Sequence, residues 1–206
     1  MEKKLDKIDI ANLALSHIGV ASIERMDQPT EAARAVEQFY DHVRRTLLRS
    51  FYWTFAIRRT ELALVNSDLK DYRYAYRYPS DALRIRRVYC KGNRMPWRKE
   101  RYELVSEGTG GVIYTNVQYA CMEYVANITD TSLFDDLFVD AFSWKLAAEV
   151  AMRLTGKIEL ANNAIQAYNA YIAEAQGINA NENREPEPYV NRLAAARLGC
   201  DLYDKL

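Results

Sequence analysis

Residues 39–59, FYDHVRRTLLRSFYWTFAIRR, carry two different periods in one unbroken run, and this restricts the folds open to the chain. Val36, Phe39, Tyr40, Val43 and Leu47 recur at three- and four-residue spacing, which lines them along one face of a helix. Arg34, Asp41, Arg44, Arg45 and Arg49 fall largely elsewhere on the wheel. Phe51, Trp53, Phe55 and Ile57 then recur every second residue, the period of a strand. The spacing predicts a long helix that passes directly into a sheet, with large aromatics at the joint. Aromatic side chains bury more area than most others, so the joint is expected to hinge a helical layer to a β layer.

The chain on either side fits this division. Ala11, Leu15 and Ile18 predict a first helix over 8–18, stopped by Gly19. Thr30 is placed to cap the second helix, with Glu31 in its first turn. From residue 51 to about residue 127 the signals are β. Tyr72, Tyr74, Tyr76 and Tyr78 alternate on one face, with Arg73 and Arg77 on the other, until Pro79 and Asp81. Leu83 and Ile85 alternate with Arg84 and Arg86, and the doubled Arg86-Arg87 shifts the phase, as a β-bulge or strand end does. Lys91-Gly92-Asn93 marks a turn. Short strands are expected over 101–106 and 112–115, around a turn at Gly108–Gly111. Residues 118–125 are apolar on both faces, which predicts a central strand.

Helical spacing returns at Thr131 or Ser132, either of which can cap, and residues 133–154 are apolar nearly all round. Thr155-Gly156 breaks that helix, and a fourth is expected over about 158–175. Residues 179–188, NANENREPEP, read as a polar linker or arm, followed by a short amphipathic helix carrying Tyr189, Val190, Leu193 and Leu198. The expected fold is α+β. A bundle of about four helices, from 1–50 and 131–177, holds a β-sheet or sandwich insertion, 51–130, between helices 2 and 3. An extended C-terminal arm occupies 178–206.

Formal charge is zero over the 206 residues, but it is unevenly placed. Residues 1–101 hold 21 Lys+Arg against 13 Asp+Glu, and residues 102–206 hold 7 against 15. Such a subunit can stack on copies of itself or face two unlike partners, although charges also cluster by chance on solvated faces. Tyrosine is abundant at 15, which suits interfaces as well as core. Cys90, Cys121 and Cys200 are widely spaced with no CxxC, so neither a zinc site nor a disulfide framework is indicated. The charged N-terminus does not read as a signal peptide, and no apolar run approaches the ~20 residues of a membrane span. Synthesis in a reducing cytoplasm and no membrane association are expected.

The groups that carry chemistry do not converge in the sequence. His17 and His42 lack metal-like neighbours. Ser16-His17 is adjacency on a helix, where neighbours point apart. Gly108–Gly111 precedes a strand rather than a helix, so a hairpin turn is the better reading than a phosphate loop. Asp136 and Asp140 share a helical face and form a conceivable acid–base pair, but favourable charge at a helix N-terminus explains them more simply. The tyrosine stripe with Arg73, Arg77, Arg84, Arg86 and Arg87 fits a single-stranded nucleic-acid platform, a Tyr-lined core face with a basic solvated back, or a surface that duplex DNA passes without sequence readout.

Four stretches together resemble the tail tubular protein A family of short-tailed bacteriophages, the head-to-tail adaptors or gatekeepers. They are Ala11 to Gly19 (ANLALSHIG) with Ile23 and Asp27; Tyr40-Asp41 through Trp53 to Arg59; Tyr76 to Ile85 (YRYPSDALRI); and Thr129-Asp130 with Phe134 through Gly156. Their order and spacing carry the likeness, over most of residues 8–175. The resemblance implies a structural virion protein rather than an enzyme, with no cofactor and no metal. It implies a homo-oligomer, a ring of twelve under the portal protein and above the tail nozzle protein, with tail fibres as a further contact. Double-stranded DNA passes through such a ring and is held there until ejection. The arm, with Tyr189, Val190, Leu193, Leu198, Leu202 and Tyr203, is then expected to reach the portal, and Arg73, Arg77, Arg84, Arg86 and Arg87 to line the channel or an interface. The location implied is the head–tail junction of the virion, after synthesis in the host bacterial cytoplasm. The alternative is a nucleic-acid-binding module that uses the Tyr/Arg sheet.

Overall fold

A computed structural model describes residues 5–66, 71–92, 100–107 and 110–182. Among these, four helices and seven strands run in the order α1 (Lys7–His17), α2 (Glu31–Ser50), β1 (Ile57–Glu61), β2 (Leu64–Val65), β3 (Tyr74–Arg77), β4 (Ala82–Cys90), β5 (Tyr102–Glu107), β6 (Gly110–Thr115), β7 (Ala120–Ala126), α3 (Asp136–Thr155) and α4 (Ile158–Glu182). The fold is α+β, with the strands between the second and third helices as expected.

Local chemistry sets the helix ends. Asp6 accepts from the backbone N–H groups of Ile8 and Asp9 at 2.8 Å, and Asp9 accepts from the Asp6 N–H at 3.1 Å, a reciprocal cap for α1. Thr30 Oγ1 accepts from the Ala33 N–H and starts α2. The α2 stripe Val36, Tyr40, Val43 and Leu47 is buried, and so is Arg44, which the helical wheel places off that stripe. Arg44 is drawn inward because it donates to Asn127 Oδ1 at 2.8 Å and to the Ile128 carbonyl, tying α2 to the segment after β7.

The joint differs from the sequence expectation. Phe51, Trp53 and Phe55 do not lie in a strand: Thr54–Ala56 form a 3-10 turn, and β1 begins only at Ile57. The indole N–H of Trp53 donates to the Leu47 carbonyl at 3.1 Å, satisfying one of the acceptors left open at the end of α2. Trp53 and Phe55 each meet Phe138 of α3 edge-on, with ring centroids 5.1 Å apart. The alternation therefore reports two aromatics packed on one helix rather than a pleated strand.

The third helix also starts later than expected. Thr131–Leu133 form a 3-10 turn, and Asp135, not Thr131 or Ser132, caps α3 by accepting from the Leu137 N–H at 3.0 Å. The turn uses up the hydroxyl positions, and the Asp135-Asp136 pair then meets the helix N-terminus with negative charge. α3 is buried through Phe138, Phe142, Leu146 and Val150, and packs on α1, α2 and α4. It ends at Gly156, whose φ of +67° only glycine takes without strain. α4 runs to Glu182 instead of ending near Ala175, so residues 179–182 of the expected linker are helical. A single Gly177 costs about 1 kcal/mol against Ala, too little to stop a long helix. The arm residues Tyr189, Val190, Leu193, Leu198, Leu202 and Tyr203 lie outside the described residues.

The strands form two antiparallel sheets, one in the order β1-β7-β4 and one in the order β2-β3-β6-β5. β7 is central in the first and buried along its whole length, as its two-faced apolar pattern predicts. The β5–β6 hairpin brings Glu107 opposite Gly110. A Cβ on Gly111 would stand 3.1 Å from the Tyr78 side chain, so a larger residue there would have to push that side chain aside by a few tenths of an ångström. One apolar core joins helices and sheets, with Leu15, Val36, Leu47, Trp53, Val88, Ile113, Met122, Phe138 and Leu146 all in it.

Candidate functional site: arginines around a buried carboxylate

The three-stranded sheet gathers three arginines on one buried carboxylate. In the middle strand, Glu123 sits among apolar neighbours with 0% of its side chain exposed. Antiparallel register sets Arg59 of β1 opposite it on one side and Arg87 of β4 on the other. The register of β4 slips between Ile85 and Arg87, so an extra residue, Arg86, is crowded against the same partner. The sequence signal for a bulge at Arg86-Arg87 thus has a consequence: both guanidiniums reach one carboxylate. Arg59 Nε donates to Glu123 Oε2 at 2.7 Å, Arg86 Nη1 to Oε1 at 2.8 Å and Arg87 Nη2 to Oε2 at 3.0 Å. Burial by itself would push the Glu123 carboxyl up, but hydrogen bonds from Arg59 and Arg87 and the charges of Arg87 and Arg86 outweigh it and hold the group below its ordinary value.

Beside the cluster, Arg84 and Arg86 stack over the Tyr52 ring, at 4.5 and 5.5 Å from its centroid. Arg84 also donates to the carbonyls of Arg49 and Ser50 at the end of α2. Of the five arginines singled out in the sequence, Arg84, Arg86 and Arg87 therefore gather on the three-stranded sheet. Arg73 and Arg77 lie apart from them, exposed, on or just before β3 of the other sheet. Sequence reasoning missed Arg59 and Glu123. The available signal was a lone acid in the middle of an otherwise apolar central strand, which demands a buried partner.

The tyrosine stripe divides. Only Tyr74 and Tyr76 belong to β3, and Tyr76 is buried, its hydroxyl donating to the Val117 carbonyl at 2.9 Å and accepting from the Ala120 N–H. It is not available to stack on a base. Tyr74 and Tyr76 instead line one wall of a cleft of about 350 Å³ closed by Leu64, Lys91 and Tyr119. Tyr124 donates to Asp81 at 3.1 Å, and its hydroxyl is pushed up to about 12 by burial and by that carboxylate. Asp81 also pairs with Arg58 at 3.4 Å, so the turn after Pro79 is tied to the middle strand.

His17 stacks flat on Trp144, 3.6 Å between centroids, and shares a 3.0 Å hydrogen bond between Nε2 and Ser143 Oγ. Ser143 is buried and donates to the Asp140 carbonyl, so this contact locks α1 to α3 rather than exposing a nucleophile. Burial holds the His17 ring below its ordinary value. Asp140 is raised by burial and then by the charges of Asp136 and Glu174. Cys90 and Cys121 are free thiols. Among the described residues no set of three or more His, Cys, Asp or Glu side chains is placed to hold a metal, and no helix is long and apolar enough to cross a membrane.

No family model matches the chain, and a search of characterised proteins returns no significant match.

Proposed function

We propose that the chain is a head-to-tail adaptor of a short-tailed phage: a structural subunit that joins a twelve-membered ring between portal and tail nozzle, continues the DNA channel and helps hold the genome until ejection. What carries this reading is where the four resembling stretches fall. They fall on α1, the α2–β1 joint, the β3–β4 segment around Asp81 and the whole of α3, and the helices and the joint among them contribute to the core that β6, β7 and α4 also share. A likeness confined to exposed loops would weigh much less. The side chains that converge make caps, stacks and salt bridges, the chemistry of a scaffold. The uneven charge along the chain suits the two unlike flanks that a closed ring of identical subunits requires.

Co-assembly tests the reading. The full chain, mixed with the portal protein encoded in the same genome, is expected to form a ring on the portal in particle images. Truncation after Glu182 is expected to abolish that docking while leaving the fold intact. A portal that recruits no ring from the full chain overturns the proposal.

A further inference from the structure

We infer that the groove between the open edges of β4 and β5 is a docking site for an extended acidic peptide segment of a partner protein, which pairs there as an added strand. Among the described residues β4 pairs only with β7 and β5 only with β6, so each is the edge of its sheet. Both edges line one groove of about 660 Å³. β4 meets it through Leu83, Arg84 and Ile85, and β5 through Leu104, Val105 and Ser106. Neighbouring residues of a strand point to opposite faces, so a groove that meets three in a row lies along the edge, where N–H and C=O groups face outward. Two rows of backbone donors and acceptors therefore border one opening, the arrangement that strand addition uses.

The lining selects the occupant. Leu104 is 50% exposed and Tyr102 38%, apolar surface on an open edge of the kind that natural sheets blunt or cover. The charge in the groove has one sign. Arg49 and Arg84 both line it and are exposed, and among the described residues no carboxylate lines it. Arg84 is fixed in place by the carbonyls of Arg49 and Ser50 and by the Tyr52 ring. Burial pushes the Tyr78 hydroxyl up and the Arg49 charge opposes that shift, so the charge acts within the groove. Two cations beside apolar walls complement a segment that alternates acidic and apolar residues, because an added strand turns alternate side chains to opposite faces. The six residues of β5 span about 20 Å, which a segment of about the same length matches. The inference stands on the groove alone and not on the adaptor reading.

The test is fluorescence anisotropy of a labelled heptapeptide that alternates Glu and Val, with blocked ends, titrated with the full chain at about 50 mM salt. Binding is expected, and the same peptide with Lys for Glu should bind at least roughly tenfold more weakly. N-methylation of alternate backbone amides removes donors but no side chain, and should also cost roughly tenfold if the peptide pairs as a strand. Arg49→Glu should weaken the acidic peptide about tenfold and strengthen the basic one, a reversal that damage to the fold would not produce. Leu104→Asp should lose binding with an unchanged circular dichroism spectrum. Arg25→Ala, outside the groove and paired with Asp27, should bind like wild type. The inference is overturned by no binding of the acidic peptide, by equal binding of the basic or methylated one, or by an Arg49→Glu protein that binds like wild type. It is also overturned by self-association that Leu104→Asp abolishes without any peptide binding, which gives the groove to a second copy. A photo-cross-link from Leu104→benzoylphenylalanine to residues 183–206 of the same molecule overturns it as well, by giving the groove to the chain's own C-terminal segment.

Discussion

Replacing Glu123 with Gln removes the one negative charge that three arginines share, and the size of the effect follows from how deeply each is set. Arg59 is mostly exposed and can return to water at little cost. Arg86 and Arg87 are held close to the sheet and lose their counter-charge in place. Removing one partner of a buried ion pair typically costs 3–5 kcal/mol, and the exposure of Arg59 favours the lower end, about 3 kcal/mol. For a chain of this size that corresponds to a fall in Tm of roughly 6–12 °C. Urea and thermal melts followed by circular dichroism measure it. The pH dependence adds a sign. The folded pKa of Glu123 lies below its unfolded value of 4.5, so its contribution is complete above about pH 4.5 and is lost as pH falls through the folded value. The gap between wild type and Glu123→Gln should therefore be widest near neutrality and close on acidification. A variant as stable as wild type at pH 7, or a gap that grows with acid, refutes the idea that the carboxylate anchors the sheet.

Arg44→Met should cost about 2–4 kcal/mol, because the Ile128 carbonyl and Asn127 are left without their donor in a buried setting; urea unfolding reads this directly. Trp53→Ala, which empties the contact between Phe51 and Phe138 and frees the Leu47 carbonyl, should cost about 3–5 kcal/mol by the same measurement. Gly156→Ala forces a left-handed residue to carry a Cβ and should lower stability by about 1–2 kcal/mol. His17 is held neutral by burial, so stability is full above its unfolded value of 6.5 and falls as pH drops below it toward the lower folded value; His17→Gln should erase that portion of a Tm-against-pH curve.

What the sequence made legible was whatever a local period or a local cap decides. The α2 stripe, the Thr30 cap, the stop at Gly156 and the central place of β7 each follow from a few neighbouring residues. The misreadings share a cause. Phe51, Trp53 and Phe55 keep a strand-like period because α3 collects the aromatics, and Phe138 is more than eighty residues away in the chain. The α3 start reads too early in the sequence because Thr131 and Ser132 lie only four and three residues before Asp135 and are spent on a 3-10 turn. The charge site was half visible. The phase slip at Arg86-Arg87 marks the bulge, but only strand pairing reveals that Arg59 and Glu123 complete it.

The last helix deserves a mechanical reading. α3 and α4 are joined by Gly156-Lys157 and lie antiparallel, with Asp140 near Glu174 and Lys145 over the Tyr168 ring. At 1.5 Å per residue the 25 residues of α4 span about 37 Å and the 20 of α3 about 30 Å. The longer rod therefore overhangs its neighbour by about 7 Å, a cantilever stiffened by backbone hydrogen bonds. Its tip is where the described residues end.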